Sequence, residues 1–215
     1  SLGSTPRSLV KYNDQSISAI TEVGSGSGVT DDMVLIKEQT ASSSATISFV
    51  DGTSDVVLDS TYPIYVFKWF NIHPEEDGRS ICFQANAAGG SGYNETITST
   101  IFRAFHLEGD TTADLAYNDD RDQAQGTAVQ PISFPTGNAN DEATSGEILI
   151  FNPSSTTFVK HFLARSSDVE DNSGALNTFA AGYINTTSAV DEFQFSMNSG
   201  NIDAGTIKLY GIKDS

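Results

Sequence analysis

The residues able to do acid–base or metal chemistry are few and scattered. The three histidines are His73, His106 and His161. None is spaced as HxH, HxxH or HExxH, so no pair of imidazoles is set to share a zinc ion. His106 and His161 close or interrupt apolar runs, where a hydrogen-bonded structural histidine is expected. Cys82 is the single cysteine and stands in the run Ile81-Cys82-Phe83. It has no second thiol for a disulfide and no neighbouring base to make it a nucleophile, so it reads as a small core residue. No GxSxG elbow and no P-loop occur. The stretch Gly89-Gly90-Ser91-Gly92-Tyr93-Asn94 is followed by no helix that would offer its N-terminus to a phosphate. It reads as a hairpin loop between strands at 80–85 and 97–106.

Carboxylates are plentiful. Asp110, Asp114, Asp119, Asp120 and Asp122 share one stretch, and Asp141 and Glu142 another. Calcium takes roughly six to eight oxygen ligands, often from such loops. Asp119, Asp120 and Asp122 are the calcium candidates, although their spacing matches neither an EF-hand nor a calcium-binding β-helix repeat; a solvated acidic loop is the competing reading. No other cofactor is expected. A glycosidase needs two carboxylates flanking one sugar, and no spacing singles out a pair. The chain is therefore expected not to be an enzyme, with no catalytic residues. Tyr93, Tyr117 and Tyr183 lie in or beside loops, where ring faces beside Asp and Asn side chains make a glycan-facing surface; packing at the edge of the core is the alternative. The sequons Asn94-Glu95-Thr96 and Asn185-Thr186-Thr187 matter only in a eukaryotic secretory setting.

The elements that must position these residues read as strands. Short runs rich in Val, Ile, Thr, Phe and Tyr, bounded by Gly, Asn, Asp, Ser and Pro, fall at 33–37, 46–50, 64–72, 80–85, 97–106, 129–134, 147–152, 158–165, 177–183, 192–197 and 206–212. Alternation is clear in 192–197, where Phe193, Phe195 and Met197 share a face, and in 206–212, where Ile207, Leu209 and Gly211 oppose Lys208 and Tyr210. The run 64–72 is apolar on both faces, as a central or interface strand is. Residues 110–125 lack an apolar stripe and read as a long loop with at most a helical turn. These runs predict an all-β fold, an antiparallel two-sheet β-sandwich of jelly-roll type, since there is no room for crossover helices. Residues 1–30 differ: an extended arm with apolar steps at Leu9, Val10, Ile17 and Ile20, then the linker Gly24-Ser25-Gly26-Ser27-Gly28. The sandwich is expected over 31–215.

Length and charge set the outer limits. A chain of 215 residues buries a full core without disulfides or metals. With 28 Asp and Glu against 11 Lys and Arg, its net charge is −17. Such a surface repels phosphate backbones and anionic membranes, so neither nucleic acid nor membrane is an expected partner. No stretch approaches the ~18 apolar residues of a membrane span, and no signal-like apolar region is visible, which predicts a soluble chain.

Four segments carry a resemblance: residues 65–74 (Tyr65-Val66-Phe67-Lys68-Trp69-Phe70-Asn71-Ile72-His73-Pro74), 102–106 (Phe102-Arg103-Ala104-Phe105-His106), 151–162 (Phe151-Asn152-Pro153 through His161-Phe162) and 199–212 (Ser199-Gly200-Asn201 through Tyr210-Gly211-Ile212). Together with the opening residues 8–18, this series resembles a family of virion structural proteins of marine bacteriophages and cyanophages. The resemblance covers nearly the whole chain. It implies a virion component, made in the bacterial host cytoplasm and displayed on the particle surface as a head decoration or fibre-like appendage. Its partners are then other virion proteins of the capsid or tail, with the arm as attachment element. A homo-oligomer is expected, a trimer in the first instance, with 64–72 as a candidate interface. A receptor- or glycan-binding module at a fibre tip is the alternative.

Overall fold

The computed structural model describes residues 32–214. The arm residues Leu9, Val10, Ile17 and Ile20, and the Gly/Ser linker, lie outside the described residues. Among the described residues there are thirteen strands and no helix: β1 (Met33–Thr40), β2 (Ile47–Val50), β3 (Ile64–Pro74), β4 (Ile81–Ala87), β5 (Ile97–Leu107), β6 (Ala113–Tyr117), β7 (Ala124–Gly126), β8 (Gln130–Pro131), β9 (Thr144–Phe151), β10 (Lys160–Glu170), β11 (Gly174–Ile184), β12 (Val190–Met197) and β13 (Ile202–Ile212). They form two antiparallel sheets, a large one of nine strands and a small one of four. The large sheet runs β1-β13-β3-β9-β10-β11-β5-β6, with β7 also paired to β5; the small sheet runs β2-β12-β4-β8. The expected all-β sandwich is the fold observed. Every small-sheet strand is preceded and followed in sequence by strands of the large sheet.

The core lies between the inner faces. Phe67 of the large sheet meets Phe49, Phe193 and Phe195 of the small sheet at ring-centroid distances of 5.1, 5.3 and 5.1 Å. Phe83 meets Phe162 at 5.0 Å in an edge-on geometry. Tilted and edge-on pairs place ring hydrogens on π faces, the favourable arrangement for aromatics. Alternation decides which residues reach this layer: in β12, Phe193, Phe195 and Met197 are buried, as are Ile207, Leu209 and Gly211 in β13. The doubly apolar strand β3 is central, hydrogen-bonded on one side to β13 and on the other to β9. Trp69 crosses to its paired residue Gly146, where a Cβ would strike the Trp69 ring.

Three sequence expectations are corrected. Residues 110–125 are not a bare loop: β6 and β7 add to the edge of β5, whose backbone groups need partners. The glycine-rich stretch 89–94 is no hairpin, because β4 belongs to the small sheet and β5 to the large one, and the loop carries the chain across. The expected strand 129–134 shrinks to Gln130–Pro131, where the proline lacks the N–H that a longer ladder requires.

Candidate functional site

The chemistry-bearing residues are dispersed through the sandwich, and most are committed to internal contacts. His73 lies between the Asp203 carboxylate, 3.8 Å from Nδ1, and the Ala139 carbonyl, 3.2 Å from Nε2. His106 pairs with Asp110 at 3.0 Å on an exposed edge, and the ring of His161 packs edge-on to Tyr183. Cys82 is fully buried, and burial pushes its thiol up to about 12, so no thiolate nucleophile exists at neutral pH. Of the calcium candidates, Asp122 accepts the hydroxyl hydrogen of Tyr117. Among the described residues no three His, Cys, Asp or Glu side chains gather as a metal site.

The densest polar cluster is one the sequence does not advertise. Asp168, on the inner face of β10, is 2% exposed. Thr144 Oγ1 donates to its Oδ1 at 2.5 Å; Ser166 Oγ and Thr178 Oγ1, each at 2.9 Å, and the Phe134 N–H at 3.2 Å donate to Oδ2. Trp69 Nε1 donates to Thr144 Oγ1 at 3.2 Å, extending the network into β3. Burial drives the Asp168 carboxyl up to about 6, with the hydrogen bonds pulling the other way. A general acid must reach a substrate proton. The Asp168 carboxylate is engaged by Thr144, Ser166, Thr178 and Phe134, so the cluster acts as an internal brace tying β3, β9, β10, β11 and the Phe134 segment together. Lys160, also fully buried, spends its ammonium on the carbonyls of Phe158 (2.7 Å) and Thr186 (3.1 Å).

What the molecule offers outward is the other face of the large sheet. Strand register lines up Leu35, Tyr210, Val66, Leu149, Leu163, Ala181 and Thr100 in one row across β1, β13, β3, β9, β10, β11 and β5. One row toward the strand ends, Met33, Ile212, Ile64 and Phe151 are likewise in register. Leu163 is 51% exposed, Leu35 50% and Phe102 41%, whereas Leu149, Tyr210 and Ala181 are half-buried and Val66 lies covered by its neighbours. The row on the other side is mixed: Glu38, Lys208, Lys68, Glu147 and Arg165, then Phe179, Phe102 and Tyr117. Lys208 pairs with Glu38 at 2.8 Å and Lys68 with Glu147 at 3.2 Å. Arg165 lies over the Phe179 ring, 5.2 Å from its centroid, and Phe179 stacks on Phe102 at 5.0 Å. These three rows hold three cations and only two carboxylates, both ion-paired, in a chain whose net charge is −17. An apolar, weakly charged face on an acidic molecule has the character that interaction surfaces share. Sequence reasoning reached only one strand of it, the doubly apolar run 64–72, whose outward Phe70 is exposed while Val66 is 1% exposed beneath its neighbours; a run such as Phe162-Leu163-Ala164 does not say which side faces the core.

The three tyrosines singled out in the sequence do not form one site. Tyr93 reaches Ser48 and Glu192 on the small sheet, where burial raises its hydroxyl pKa. Tyr117 sits on the edge strand β6 and donates to Asp122, whose carboxylate raises its pKa. Tyr183 lies on the outward face of β11, paired with Thr98 and packed against His161. The faces of Phe179, the other aromatic of that region, are taken by Phe102 and Arg165. Comparison with protein-family models, curated proteins and solved structures gives no match to this chain.

Proposed function

We propose that the chain is a non-enzymatic structural component of a bacteriophage particle, a capsid decoration or fibre-like appendage that assembles with other virion proteins. The observation that carries this reading is the outward face of the large sheet, apolar and nearly neutral on an otherwise acidic molecule. Such a face serves association rather than turnover. The resemblance of segments 65–74, 102–106, 151–162 and 199–212 to marine phage virion proteins points the same way. A jelly-roll connectivity and anchoring through the arm at residues 1–30 belong to this reading. The alternative, a receptor- or glycan-binding module using the loop tyrosines and acidic loops, draws less support, because Tyr93, Tyr117 and Tyr183 lie on different elements and Tyr117 is engaged with Asp122. The test is gold-labelled antibody to this chain applied to phage particles purified from the lysate that contains it. Regular label over heads or tails is the expected result. Abundant chain in the lysate with none on particles overturns the proposal.

A further inference from the structure

We infer that the outward face of the large sheet is where a second copy of this chain packs, sheet against sheet, around Leu163. The inference deepens the assembly reading above by naming the occupant. Charge selects it. Two copies at −17 each repel wherever their carboxylates face one another, and like charges juxtaposed across a contact are a strong barrier to association. The three outward rows are where that repulsion is relieved, because Lys68, Lys208 and Arg165 outnumber Glu38 and Glu147.

The geometry fits a stable contact. Six strand spacings of about 4.8 Å separate β1 from β5, and three rows each about 6.8 Å deep along the strands cover about 20 Å, so the face measures about 600 Å² before side-chain relief is added. Standard interfaces bury about 800 Å² per partner. The chemistry is also self-complementary. Glu147 is flanked in register by Lys68 on one side and Arg165 on the other. A two-fold pairing that seats Glu147 of one copy beside Arg165 of the other makes the same contact twice. Leu35, Leu149 and Leu163 then fill the space between the sheets, as Phe67 and its neighbours do inside the sandwich. A single self-complementary face closes as a dimer, in place of the trimer expected from the sequence.

Sedimentation equilibrium of the full chain tests this, comparing the unchanged protein with Leu163→Glu and Arg165→Glu. Both sites are exposed, so neither substitution touches the core; should Leu163→Glu melt early, Arg165→Glu carries the test. The expected result is a dimer whose dissociation constant rises roughly 30-fold or more in each variant, with melting of the dissociated chains unchanged. A monomer at all concentrations overturns the inference, whether the face is bare or another segment of the chain covers it. An oligomer of unchanged affinity in both variants overturns it equally. A monomer that still labels particles sinks this contact and leaves the virion reading intact, and a dimer absent from particles does the reverse.

Discussion

At the scale of single residues, Asp168 is a buried group whose protonation the fold feels below neutral pH. Its folded pKa of about 6 lies above the ordinary 3.8 because burial disfavours the charge. Below the ordinary value the carboxyl is neutral in both folded and unfolded chains. Between there and about 6 only the folded chain keeps its proton, and above about 6 both are ionised while the folded state holds a desolvated anion. The contribution of Asp168 to stability is therefore largest in acid, declines as pH rises through that window, and levels off above it. Asp168→Asn keeps an acceptor for Ser166, Thr178 and the Phe134 N–H and removes the ionisation. Melting temperature followed from pH 4 to 8 should show the decline in the natural chain. A flatter profile in the variant, with higher stability above about pH 6, is expected; the same slope in both would locate the titration elsewhere.

At the scale of elements, the amide of Gln84 organises the outer side of β4. All seven residues of this strand are buried, because residues before β8 wrap over its outward side. Gln84 Nε2 donates to the carbonyls of Glu95 (3.0 Å), Thr127 (3.1 Å) and Ala128 (2.9 Å). Gln84→Leu would remove three hydrogen bonds to part-buried carbonyls at a cost of about 1–3 kcal/mol. Urea unfolding should show that loss, and limited proteolysis should show new cleavage near residues 118–130. The same element marks where sequence reasoning reaches and stops. Strands β12 and β13 are legible because one face is core and the other solvent, so Phe193 and Phe195, or Ile207 and Leu209, alternate with polar neighbours. Strand β6 is not, since Ala113, Asp114, Leu115 and Tyr117 are all exposed and the strand exists to satisfy the edge of β5. Asp168 and the outward leucines are hidden for a related reason. Their meaning arises only when register places Thr144, Ser166 and Thr178 around one carboxylate, or Leu149 beside Leu163, across strands distant in sequence.

At the scale of the whole molecule, the charge imbalance makes association depend on salt in a definite direction. Added salt shortens the Debye length from about 10 Å at 0.1 M to about 3 Å at 1 M, which damps repulsion between two acidic bodies while leaving apolar burial in place. The dimer should therefore tighten as sodium chloride rises from about 0.02 to 0.5 M, a trend that sedimentation resolves; weakening instead would mean that the Glu147 ion pairs dominate the contact. The order of the strands has a further consequence, for synthesis rather than for the folded chain. Strand β13 sits between β1 and β3, yet β3 ends at Pro74 and β13 begins at Ile202. At ~5–20 residues per second on the ribosome, β1 and β3 wait roughly ten seconds with open edges before the strand that joins them emerges. The nascent chain is thus an aggregation hazard and a chaperone client until translation passes residue 202, and a chain stopped short of that point should yield insoluble product rather than a smaller sandwich.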